Sequence, residues 1–150
     1  MELCTIGFTK STAEHFFERM KAAGVQVVLD VRLKNTSQLA GFARTPDIQY
    51  FLKNLVGSEY IHDPLLAPDD EILSAYKKKQ IGWAEYEARF DALMKEREID
   101  GYICGRYAEA AQKRYCLLCS EDTPENCHRR LIAERMSRLM GLEIDRKSVV

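Results

Sequence analysis

The run Val25-Gln-Val-Val-Leu-Asp-Val31 constrains this chain more than any other segment. Its β-branched, largely apolar content reads as a strand, and the scarcity of polar positions reads as one covered on both faces. A strand of that kind needs helices above and below it. The chain is therefore expected to be α/β, three-layered, with a mostly parallel sheet and helices on both faces. The flanking pattern agrees. Leu3 to Ile6 reads as a first strand ending at Gly7, and Ser11 with Glu14 forms a capping box for a helix whose stripe is Phe16, Phe17 and Met20. Gly24 suits the end of that helix.

After Arg32 the sequence loses any clean period until Arg44, which marks a long loop of the kind that often carries function. Thr45-Pro46 starts a helix running to about Val56, with Pro at its first position. Glu59 to His62 is a third strand, and Pro68 to Glu71 opens another helix. Past Gly82, the residues Trp83, Tyr86, Phe90, Leu93 and Met94 share one side of a longer helix. Gly101 to Gln112 is ambiguous between turn and short helix. Tyr115 to Ser120 reads as a buried strand, Thr123-Pro124-Glu125 as the start of a helix ending at Gly141, and Leu142 to Arg146 as a last strand. No repeat or linker interrupts 1–150, so a single domain is expected.

At 150 residues, 46% apolar and 30% charged, the chain buries roughly two-thirds of its unfolded surface and is not disordered. Twenty-two basic against 23 acidic residues exclude a surface built wholly for polyanions, although a local basic pocket stays open. No apolar run approaches the roughly 18 residues of a membrane span, and no secretory signal is visible. Five cysteines without an export signal read as reduced thiols in a cytoplasmic protein.

Sites in parallel sheets form beyond the carboxyl ends of the strands. Polar residues there include Gly7 and Thr9, Asp30 and Arg32, Tyr60 and His62, and Cys119 with Glu121. The densest segment runs from Cys119 through Cys127, His128, Arg129 and Arg130. A thiol near a helix N-terminus beside cations is favoured as thiolate, whereas Glu121, Asp122 and Glu125 oppose an anion. Burial as a small core residue is the competing reading of Cys127. Cys116-x-x-Cys119 followed by Cys127-His128 lists zinc-type ligands, but residues three apart on a strand face opposite ways and a zinc knuckle needs a turn there, so no metal and no stoichiometric zinc are expected. The glycine-rich nucleotide loops, the Cys loop of tyrosine phosphatases and the zinc deaminase pattern are all missing.

Thr5-Ile6-Gly7, Asp30-Val31-Arg32, Tyr60-Ile61-His62 and Cys119-x-Glu121-x-x-Pro124-x-x-Cys127-His128-Arg129 together resemble the domain-of-unknown-function 488 family. The loop from Asn35 through Gln38 to Phe42 resembles one subgroup of it. Phe8-Thr9-Lys10 departs from the family's His-Ser-like continuation, and the segment between Ile99 and Arg114 is longer than usual. The resemblance implies an α/β domain in which Asp30, Arg32, Cys119, Glu121, Cys127, His128 and Arg129 share a site. It implies no established activity.

The expectation is an enzyme-like domain with a crevice for a phosphate-bearing or otherwise anionic small molecule or nucleotide. Cys119 or Cys127 is its nucleophile, His128 its acid/base, and Asp30 or Glu121 its orienting carboxylate. Gly7, Arg32, Asn35, Gln38, Tyr60, His62 and Arg129 are the expected binding residues, Arg32 and Arg129 orienting the anion. No cofactor is expected. The alternatives are a non-catalytic module for nucleotides or nucleic acid, with Arg130, Arg135 and Arg138 as a small patch, and an interaction protein whose cysteines are structural.

Overall fold

Side chains alternate across each strand, and here the alternation sorts the core into two layers. In the computed structural model, which describes residues 2–36, 40–120 and 126–145, the strands β1 (Glu2–Gly7), β2 (Val27–Asp30) and β4 (Tyr115–Cys119) carry that pattern. Cys4, Ile6, Val28, Cys116 and Leu118 pack on one side against Phe16, Phe17 and Met20 of α1 (Ala13–Ala22) and Ile48 of α2 (Asp47–Phe51). Leu3, Val27, Leu29, Leu117 and Cys119 pack on the other side. There they meet Phe90 and Met94 of α4 (Trp83–Glu96), Ile103 of α5 (Ile99–Arg106) and Met136 of α6 (His128–Met140). On α4, α3 (Asp70–Lys77) packs in a smaller cluster through Ile72 and Tyr86.

With β3 (Glu59–His62) and β5 (Glu143–Ile144) the sheet has five strands in the order β3-β2-β4-β1-β5, every pair parallel. The register sets Gly7 beside Cys119, and Asp30 beside both Leu118 and His62. From the carboxyl ends, β1 and β2 send the chain to the α1/α2 side, while β4 sends it to the α6 side. Neighbouring connections that leave in opposite directions open a crevice between them. No helix of the described residues is long and apolar enough to cross a membrane.

Several boundaries differ from expectation. The first helix is capped by Thr12, whose hydroxyl accepts from the His15 N–H at 3.1 Å, one residue later than the Ser11/Glu14 pairing. Asp47 is the first residue of α2, with Pro46 ahead of it at the cap, and a π-helical turn over Leu52–Val56 continues α2 to Gly57. Ile99, Ile103, Tyr107 and Ala110 are all buried, which makes the ambiguous stretch one helix followed by a 3-10 turn at Ala108–Ala111. Thr123, Pro124 and Glu125 lie outside the described residues. Cys127 has extended backbone and stands at the N-cap of α6, so it precedes the helix and does not lie within its first turns. Gly141, at φ +66°, closes α6 in the left-handed conformation that a side chain disfavours.

Candidate functional site: a thiol–imidazole cluster at the sheet edge

A cavity of about 300 Å³ occupies the crevice. Phe8 follows β1, Arg32 to Lys34 follow β2, Cys119 and Ser120 end β4, and Asn126 to His128 lead into α6. Leu73 and Tyr76 of α3 and Tyr86 of α4 complete the wall. Tyr86 stacks on Trp83 with ring centroids 4.8 Å apart, so this side of the cavity is aromatic.

The floor is built by Cys119, Cys127 and His128, each no more than 5% exposed. Their donor atoms all lie within 4.8 Å of one another. His128 donates its Nε2 proton to the Val31 carbonyl at 2.6 Å, and both ring nitrogens stand 3.9 Å from the Cys119 sulfur; with Nε2 engaged by Val31, Nδ1 is the nitrogen that can accept. Tyr86 Oη stands 3.4 Å from the same Nδ1. The Cys119 thiol is held well below its ordinary range, first by the Cys127 thiol donating to it, then against burial by the charge and hydrogen bond of His128 and the charge of Arg129. Cys127 is pushed up by the same hydrogen bond and by burial. For His128, burial favours the neutral ring but is outweighed by Cys119 and the Val31 carbonyl, and the net shift is upward.

Behind the cavity lies a second polar group. Asp30 is fully buried and receives Arg32 in a fork, Nε to Oδ1 at 2.8 Å and Nη2 to Oδ2 at 2.7 Å. Arg32 Nη2 also donates to the Ala43 carbonyl, and its guanidinium lies 5.1 Å from the Phe8 ring centre. Tyr60 donates to Asp30 at 2.5 Å and accepts from Asn35, whose amide also reaches Thr45. His62 Nε2 donates to the Arg32 carbonyl at 2.7 Å. This network holds Arg32, Asn35, Ala43 and Thr45 against β2 and β3.

The residues singled out by sequence thus divide. Cys119, Cys127, His128 and Arg32 line the cavity, with Gly7 beside Cys119 in the sheet. Asp30, Asn35, Tyr60 and His62 sit together behind Arg32. Arg129 is fully buried and does not line the cavity, although its charge reaches Cys119 and Cys127. Gln38 and Glu121 lie outside the described residues. Arg135 is bound by Asp91 and Asp100 at 2.7 and 2.6 Å, so the patch suggested for nucleic acid is partly neutralised within the chain.

Among the wall residues that the sequence did not assign to the site are Lys34, Tyr76 and Tyr86. Lys34 carries an exposed ammonium 3.4 Å from Asp70, and Tyr76 and Tyr86 come from helices that periodicity assigns to packing. Lys34 lies two residues past Arg32, where the carboxyl-edge rule could have found it.

The architecture is that of an open, doubly wound parallel α/β domain with a thiol–imidazole cluster in its switch-point crevice. The chain belongs to the family described as domain of unknown function DUF488, which it matches over residues 12–136. No curated protein and no solved structure gives a significant match.

Proposed function

We propose that this cavity is the active site of an enzyme acting through the Cys119 thiol on a small anionic molecule, phosphate-bearing or nucleotide-like. The observation that supports the reading is the placing of Cys119 at the cavity wall, with both His128 ring nitrogens at 3.9 Å and Val31 fixing the ring through Nε2. Nucleophile, base and an orienting group in sequence is the arrangement that activated thiols use. Cys119 attacks an electrophilic centre of the bound molecule, while His128 takes the thiol proton at Nδ1 and returns it to the leaving group. Lys34, paired with Asp70 at 3.4 Å, brings a cation and a carboxylate to the wall together, and Tyr76, Tyr86 and Phe8 give that wall an aromatic lining suited to a base or other flat group. Arg32 acts as wall more than as hand, because Asp30 and Ala43 already engage its Nε and Nη2. Arg129 is a positioning charge.

Mapping of alkylation by mass spectrometry, after brief iodoacetamide treatment of metal-free native protein, tests the reading. Cys119 is expected to label faster than Cys4 and Cys116, which are fully buried, with exposed Cys104 as the accessible reference. Labelling of Cys119 only after unfolding would make it a core residue and end the proposal.

A further inference from the structure

Among the described residues, Cys119, Cys127 and His128 are the single group of three His, Cys or carboxylate donors close enough to share an ion. Each comes from a different piece of local geometry. Cys119 is the last residue of β4, Cys127 is the extended cap before α6, and His128 is the first residue of that helix. Cys116 cannot join them, because it packs on the opposite face of the sheet with Cys4. The spacing that argues against a Cys116–Cys119 knuckle therefore says nothing against this set.

We infer that Cys119, Cys127 and His128 bind one zinc-class divalent ion, with its fourth position open to the cavity. The donors are two sulfurs and one imidazole, a set that selects zinc-like ions over magnesium or calcium, which prefer oxygen. Tetrahedral bonds of about 2.3 Å to sulfur and 2.1 Å to nitrogen put such donors roughly 3.6–3.8 Å apart. Cys119 Sγ and His128 Nδ1 already stand at 3.9 Å, and the widest separation in the set is 4.8 Å. Closing onto an ion takes side-chain shifts of about an ångström or less.

The outer contacts fit as well. A metal-binding histidine commonly donates its other ring N–H to a carbonyl or carboxylate, and His128 Nε2 makes that bond to Val31. Structural zinc sites are closed by four protein donors, whereas three donors facing a cavity leave a position for water or a ligand. All three residues line the cavity, which gives the ion its entrance. The inference stands on this donor geometry and not on the thiol reaction. Its consequence for that reaction is direct: an ion on Cys119 Sγ turns the nucleophile into a ligand and silences it.

The test uses chelator-treated full-length protein with zinc or cobalt(II) alone. Equilibrium dialysis with elemental analysis should find one ion per chain, and cobalt should show thiolate-to-metal charge-transfer absorption. Cys119→Ser and Cys127→Ser should each weaken binding at least about tenfold, the scale on which even outer contacts count, while Cys116→Ala keeps it. Because a serine variant can fail to fold, a second measurement uses the unmodified chain: zinc should slow alkylation of Cys119 and Cys127 and leave Cys104 unchanged. Absence of stoichiometric binding, binding that survives both serine variants in folded protein, or unprotected thiols would each overturn the inference. Fast alkylation in metal-free protein belongs to the proposed thiol activity alone, so the two readings fail separately.

Discussion

Nε2 of His128 donates to the carbonyl of Val31 at 2.6 Å, and this bond ties the first turn of α6 to the residue just past β2. His128 is buried at 4% exposure and Val31 completely, so the bond is made away from bulk solvent. His128→Ala should destabilise the fold by about 1–3 kcal/mol through the orphaned carbonyl, beyond the cavity that truncation leaves. Urea unfolding measures that loss. In the same variant, alkylation of Cys119 should slow relative to Cys104; unchanged labelling would separate His128 from the thiol.

Asp30 and Arg32 form a buried fork, and Asp30 is completely hidden. Removing one partner of such a pair typically costs about 3–5 kcal/mol, because the other charge stays buried alone. Asp30→Ala should therefore collapse stability before it touches chemistry. The sequence reading makes Asp30 an orienting carboxylate of the site, whereas its side chain is completely hidden. The denaturation midpoint decides the matter.

Tyr60 gives an alkaline signature. Burial first, then the charge and hydrogen bond of Asp30, push its phenol from 10.0 up to about 12. Below pH 10 both folded and unfolded chains hold the proton, and the contribution is complete. Between 10 and 12 the unfolded chain releases a proton that the folded one retains, so stability falls as pH rises and this share is gone beyond 12. Tyr60→Phe should lose about 1 kcal/mol near neutrality and show a shallower alkaline decline. A decline as steep as in the unmodified protein would remove Tyr60 from the account.

Asp63 is the control for scaffold effects. It is buried and accepts hydrogen bonds from Tyr107 and Tyr102, the latter at 2.8 Å, and from the Leu65 N–H. Asp63→Ala should lower stability by about 2–3 kcal/mol without changing the alkylation rate of Cys119 or zinc stoichiometry under native conditions. A matching fall in either would mean that the site responds to distant packing.

The layered parallel fold was legible because β4 and, up to Asp30, β2 are apolar on both faces, a pattern that a doubly covered strand tolerates. Cap positions slipped by one residue at Thr12, since neighbouring hydroxyls at Ser11 and Thr12 offer equal local chemistry and only packing chooses. At the site, Cys119, Cys127 and His128 were legible as a cluster because they are near in sequence and follow a strand. The division between lining and buttressing residues was not. Asp30 and Arg32 are two apart and both polar, yet only the contacts of Ala43 and Thr45, more than ten residues on, make one a wall and the other a hidden support. Tyr76 and Tyr86 look like core at helical spacing, and nothing local reports that their rings border a void.

The strand order has a consequence for how the chain is made. β1 and β2 are made well before β4, but they never touch; the gap between them is filled by β4. Until residue 119 arrives, the facing edges of β1 and β2 present unpaired backbone donors and acceptors that another chain can capture. The same late strand delivers Cys119, so the proposed nucleophile and the completed sheet appear together. A chain without β4 is thus sticky at its centre and lacks that thiol.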